Sequence, residues 1–85
     1  MPQVKMYATD WCPYCQRAEA LLLSKGVAHI DKIDIERDPE RKNEMIAKTG
    51  RKTVPQIFIG DRHIGGCDDL HALDRAGGLD PLLAV

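Results

Sequence analysis

Between Thr9 and Pro13 the apolar pattern of this chain changes period, and a cysteine pair, Cys12-Pro13-Tyr14-Cys15, sits on the change. Upstream, Gln3 to Thr9 places Val4, Met6 and Ala8 on one alternating face and Lys5 and Tyr7 on the other, the period of a β-strand. Downstream, Cys15, Ala18, Leu21 and Leu22 recur at i, i+3 and i+4, which is one face of a helix. Pro13 suits the first helical position, where its missing N–H has no intrahelical partner. Gly26, after Lys25, is a helix stop. A strand running directly into a helix commits the chain to an α/β sheet.

The rest of the chain repeats that alternation and then departs from it. Val27 to Ile35 reads as a second strand, with Ile33 and Ile35 in phase. Asp38-Pro39-Glu40 is a helix start, in which Asp38 caps, Pro39 takes the first turn and Glu40 favours the positive dipole end. That helix is expected to bury Met45 and Ile46, run to Lys48 or Thr49, and end at Gly50. Pro55 introduces a short strand, Gln56 to Ile59, and Gly60-Asp61 turns it into Arg62-His63-Ile64 as a hairpin. Gly65-Gly66 breaks the hairpin, Leu70 and Leu73 mark a helix from Asp68 to Ala76, and an apolar tail to Val85 packs back on the core. The predicted order is β-α-β-α-β-β-α: a four-stranded mixed sheet flanked by three helices on both faces, in one domain over residues 1–85.

Composition removes several function classes. A net charge of −1 gives no reason to expect nucleic acid or an anionic membrane as partner. One Phe, one Trp and two Tyr are too few for base-stacking platforms. The longest apolar runs, such as Ala20 to Leu23, fall far short of a membrane span. No secretory signal precedes the first strand, and three cysteines are an odd, sparse set for a secreted scaffold, so a reducing cytoplasm is the expected location.

The cysteine pair carries chemistry. Cys12 is expected at the cap of the first helix, exposed, where unpaired amides and the dipole favour its thiolate. Cys15, one turn on, reaches back to Cys12 while lying deeper among Ala18 and Leu22, so it stays protonated. Cys12 therefore attacks and Cys15 resolves. A purely structural disulfide is disfavoured, because so short a loop removes little chain entropy and invites strain. A zinc site is disfavoured too: Cys67, His29, His63 and His71 are the remaining ligands and none has finger spacing. His63 and His71 receive no function.

Cys12-Pro13-Tyr14-Cys15, then Thr53-Val54-Pro55, then Gly65-Gly66-Cys67-Asp68-Asp69-Leu70, resemble in order and spacing the dithiol glutaredoxins, most closely the small bacterial type. The resemblance runs from the first strand to Leu83. It implies a thioredoxin-like fold, glutathione as co-substrate with no permanently bound cofactor or metal, and a cis bond between Val54 and Pro55. By position, it puts glutathione against Tyr14, Thr53, Val54, Pro55, Gly66, Cys67, Asp68 and Asp69. The amides of Cys67 and Asp68 would take the γ-glutamyl carboxylate, and Asp69 the ammonium. Capping of a helix accounts for Asp68 and Asp69 equally well, and both roles can hold at once. Cys67 needs no function of its own as a small half-buried residue, although glutathionylation or an intermolecular disulfide is the alternative.

One position departs from the family. Many members carry a lysine three residues before the first cysteine; here it is Thr9, and Arg51 and Lys52 are the cations available to compensate. Trp11, beside Cys12, is expected to cover the site or form part of a docking surface. The partners implied are glutathione and disulfide-bearing or glutathionylated proteins, with ribonucleotide reductase recurrent in the family, acting on a monomer. Two rivals share the cysteine pair. A thioredoxin-like donor reduced by a flavoprotein leaves the Gly-Gly-Cys-Asp-Asp segment without a purpose, and a glutathione-ligated iron–sulfur carrier usually has Gly where this chain has Pro13.

Overall fold

The pleat dictated by Val4, Met6 and Ala8 becomes the central strand of the sheet. In the computed structural model, which describes residues 2–84, the strands are β1 (Val4–Ala8), β2 (Ile30–Asp34), β3 (Gln56–Ile59) and β4 (Arg62–Gly65). The helices are α1 (Pro13–Ser24), α2 (Pro39–Thr49), α3 (Cys67–Arg75) and α4 (Leu79–Leu83). Strands lie in the order β2-β1-β3-β4. β1 and β2 run parallel, from Val4 opposite Ile30 to Ala8 opposite Asp34, and α1 makes the crossover that a parallel pair requires. β3 pairs antiparallel with β1, Val4 facing Ile59 and Tyr7 facing Gln56. In the β3–β4 hairpin Phe58 faces His63 but Ile57 faces Gly65, so Ile64 is an extra residue that kinks β4.

Helices cover both sheet faces, as the mixed topology demands. On one face Val4, Met6, Ile57 and Ile59 pack with Leu22 of α1, Leu70 of α3, and Leu79 and Leu83 of α4. On the other, Tyr7, Ile35 and Met45 form a smaller cluster under α2, joined by Ile46 and Phe58. Tyr7 is fully buried there, and its hydroxyl donates to the Glu44 carboxylate. Burial, then Glu44, pushes its phenol up to about 12.

The helix signals act as expected at α1 and α2. Asp38 Oδ1 accepts the Glu40 N–H at 3.1 Å, Pro39 opens α2, and Gly50 closes it at φ +72°. β2 is shorter than Val27 to Ile35, because Val27 is still bonded back to α1 through the Leu22 carbonyl at 3.2 Å. α3 begins at Cys67, one residue early, with Gly66 as its cap.

A fourth helix corrects the expected three. Leu79 and Leu83, four apart, both face the core at 0% and 4% exposure, so the apolar tail packs back as a single turn and a half of helix. Pro81 falls in its first turn, where no intrahelical N–H is needed. Lys25 ties this corner together, its Nζ lying 2.7 Å from Asp74 and 3.0 Å from Asp80. The last residue of the expected tail, Val85, lies outside the described residues, as does Met1. Among the described residues no helix is long and apolar enough to cross a membrane.

Candidate active site

Cys12 has extended backbone, φ −81° and ψ 114°, and caps α1: its sulfur accepts the Cys15 N–H at 3.3 Å. An anionic sulfur in that position meets both an amide donor and the positive end of the helix. As a thiol it points instead to the Val54 carbonyl oxygen, 3.9 Å away. All three cysteines are free. The expectation that Cys12 is exposed and Cys15 deeper is not met as stated, since Cys12 is 6% and Cys15 5% exposed. The Val54 segment lies against the first turn of α1 and shields Cys12. Burial pushes the Cys15 thiol well up, and its hydrogen bond with Cys12 adds to the effect. Cys67 is also pushed up, first by burial and then by the Asp68 charge.

The second wall is Thr53-Val54-Pro55, with the Val54–Pro55 bond cis. Val54 packs against both core clusters, the sole half-buried side chain among the described residues that the two share. Behind it, Gln56 is fully buried and donates from Nε2 to the Thr53 carbonyl and hydroxyl at 3.0 and 3.3 Å. His63 Nε2 meets Gln56 Oε1 at 2.8 Å.

The third wall is the turn into α3. Gly65 adopts φ +119°, and a Cβ built there would fall 2.3 Å from Asp69 Oδ2. That oxygen accepts the Gly66 N–H at 2.9 Å and an Arg51 guanidinium N–H at 2.8 Å. Arg51 first, then the Gly66 amide, holds the Asp69 carboxyl below the usual carboxylate range.

These walls enclose a cleft of about 310 Å³, into which Tyr14, Thr53, Val54, Pro55, Gly66, Cys67, Asp68 and Asp69 all face, joined by Arg51. Every residue expected to line it is thus brought together, although the motifs lie far apart in the chain. Tyr14 is half exposed, with the Arg17 guanidinium 5.7 Å from its ring centroid. The two cations named for the Thr9 side go different ways: Arg51 is engaged by Asp69, while Lys52 lines a separate cavity with Thr9. Trp11 is 69% exposed, its indole N–H donating to Glu36 at 2.7 Å, so it stands beside the cysteines rather than over them. Sequence reading passed over Gln56 and His63. A glutamine leading an apolar strand was the available signal, since a buried amide requires partners.

The glutaredoxin family model matches residues 4–64. Glutaredoxin 3 of Escherichia coli K12 is 57% identical over 83 residues, covering 98% of this chain and 99% of its own. The solution structure of glutaredoxin from Brucella melitensis superposes with TM-score 0.83 at 53% identity, covering 98% of this chain and 89% of that one. A buckwheat glutaredoxin–glutathione complex gives TM-score 0.88 at 31% identity, with coverages of 98% and 77%. Likeness of sequence and of fold, sustained from end to end around a capped cysteine pair, means that the chain belongs to the glutaredoxin family, the glutathione-dependent thiol–disulfide oxidoreductases.

Proposed function

We propose that Cys12 is the nucleophile and Cys15 the resolving thiol, with glutathione bound in the adjoining cleft. The observation that carries this is the Cys12 sulfur accepting the Cys15 amide at the mouth of α1. In the first step the Cys12 thiolate attacks the glutathione sulfur of a protein–glutathione disulfide. A Cys12–glutathione disulfide forms, and the protein sulfur leaves as thiolate and takes a proton. A second glutathione thiolate attacks that disulfide, releasing oxidised glutathione and restoring Cys12. With a protein disulfide, Cys12 attacks one sulfur and the Cys15 thiol, deprotonated as it reacts, displaces the reduced protein. Two glutathiones then reduce the Cys12–Cys15 disulfide.

Binding follows from the same walls. The Val54 backbone pairs with the tripeptide in strand fashion, Tyr14 flanks its sulfur, and Thr53 and Pro55 complete that side. The first amides of α3, on Cys67 and Asp68, take the γ-glutamyl carboxylate at the helix N-terminus after Gly66. Asp69, already a carboxylate held low, takes the ammonium. Holding both reactants converts each exchange step into a positioned reaction. No resident cofactor is required: glutathione is co-substrate, and glutathionylated or disulfide-bonded proteins are the partners. Trp11 and Tyr14, two of three exposed large apolar side chains among the described residues, flank the thiols, which fits a monomer that docks clients there. A reducing cytoplasm, with its glutathione pool, suits this cycle.

The test is a glutathione-dependent assay on a small mixed disulfide, run beside single-cysteine variants. Cys12→Ser is expected to fall to background on every substrate. Cys15→Ser is expected to keep deglutathionylation and lose reduction of protein disulfides. Complete loss of both activities in folded Cys15→Ser, or re-reduction by a flavoprotein reductase but not by glutathione, contradicts the assignment.

A further inference from the structure

Gln56 is the one polar residue in the strand Gln56-Ile57-Phe58-Ile59, and it has no exposed surface. A carboxamide so placed must satisfy both its NH2 group and its oxygen inside the fold. The Thr53 carbonyl, 3.0 Å away, can only accept, so the amide presents its nitrogen there. The oxygen is then the end facing His63 Nε2 at 2.8 Å. An amide oxygen can only accept, so His63 must carry its proton on Nε2. The imidazole is itself held: it lies opposite Phe58 across the hairpin, ring centroids 5.0 Å apart, and Phe58 sets its ring edge-on to Tyr7 at 6.1 Å.

We propose that His63 is a positioning residue for thiol–disulfide exchange, donating Nε2–H to Gln56 so that the Gln56 amide fixes Thr53 and, through it, the Val54 carbonyl beside the Cys12 sulfur. This rests on the reading that Thr53 to Pro55 forms one wall of the glutathione cleft. Thr53 is bonded through both its carbonyl and its hydroxyl, so the amide sets the peptide as well as the side chain. Without the His63 donor, the Gln56 oxygen is left unpaired in a dry site, and rotation of the amide to recover a bond would present an oxygen to the Thr53 carbonyl. The relay is indifferent to the charge of the ring, because the Nε2–H tautomer and the imidazolium both donate. The charged groups facing the ring are Arg51, from the loop before β3, and Asp69, from α3. Burial and then Arg51 lower the imidazole pKa while Asp69 opposes them, so the neutral ring prevails at neutral pH and its tautomer is the diagnostic state.

Two measurements test this. Long-range nitrogen–proton NMR of the wild-type protein at neutral pH is expected to find His63 as the Nε2–H tautomer; the Nδ1–H tautomer overturns the relay. In steady-state kinetics on a glutathione mixed disulfide, His63→Leu is expected to raise KM about fivefold, with kcat changed by less than about twofold. His63→Gln, which brings an N–H to similar reach, is expected to restore KM. Unchanged KM in folded His63→Leu, or equal losses in His63→Leu and His63→Gln, overturns the proposal. Should His63→Leu fail to fold, the tautomer decides. Titration with S-methylglutathione separates the underlying reading, which fails if the wild-type Thr53 and Gly66 amide signals do not shift.

Discussion

At Gly65 the missing side chain is what allows Asp69 to reach the turn. The backbone there sits at φ +119°, and a Cβ would approach Asp69 Oδ2 to 2.3 Å and Cγ to 2.8 Å. Gly65→Ala must therefore strain the backbone and drive the carboxylate away from both Gly66 and Arg51. Thermal unfolding is expected to register about 1–3 kcal/mol of lost stability, and glutathione titration a weakened complex. Gly66→Ala is the milder control, because its φ of −89° is ordinary and its Cβ would lie 3.5 Å from the Pro55 carbonyl. Individual site residues were legible where chemistry depends on local spacing: the cysteine pair, the proline loop and the Gly-Gly turn each declare themselves within a few positions. Burial of Cys12 was not, because the Val54 carbonyl against it comes from 42 residues further along. His63 was illegible for the same reason, since its partner Gln56 lies on another strand.

Among the elements, α2 and β3 were read with their true limits and carry backbone-specific residues at both ends, whereas α3, set between two glycine pairs, begins and ends one residue early. α2 has Asp38 and Pro39 before it and a left-handed Gly50 after it, and β3 is bounded by Pro55 and Gly60. α4 lacked such marks. Five residues hold too little periodicity to separate a helix from an apolar tail, and Pro81 argues against helix unless the first turn is known to begin at Leu79. The packing rather than the local sequence makes it a helix. Leu79 is completely buried between α4 and the larger core cluster, so Leu79→Ala is expected to cost about 2–5 kcal/mol in chemical denaturation.

Across the whole molecule, helices on both faces of a four-stranded sheet follow from β1 being central, with Val4 and Met6 buried on one side and Tyr7 on the other. Alternation of strand and helix foretold the two-sided packing, whereas the order β2-β1-β3-β4 depends on long-range pairing that periodicity does not encode. Val54 joins the two sides, because the loop that carries it runs past the end of β1 and touches both clusters. It acts as a wedge between two jaws. Loosening either jaw, by mild denaturant or by trimming Met45 on the far side, is expected to free the carbonyl that confronts the Cys12 sulfur. Catalysis should consequently fade at lower denaturant than the far-ultraviolet dichroism does, and coincident loss of the two signals would mean that the wedge is held from one side alone.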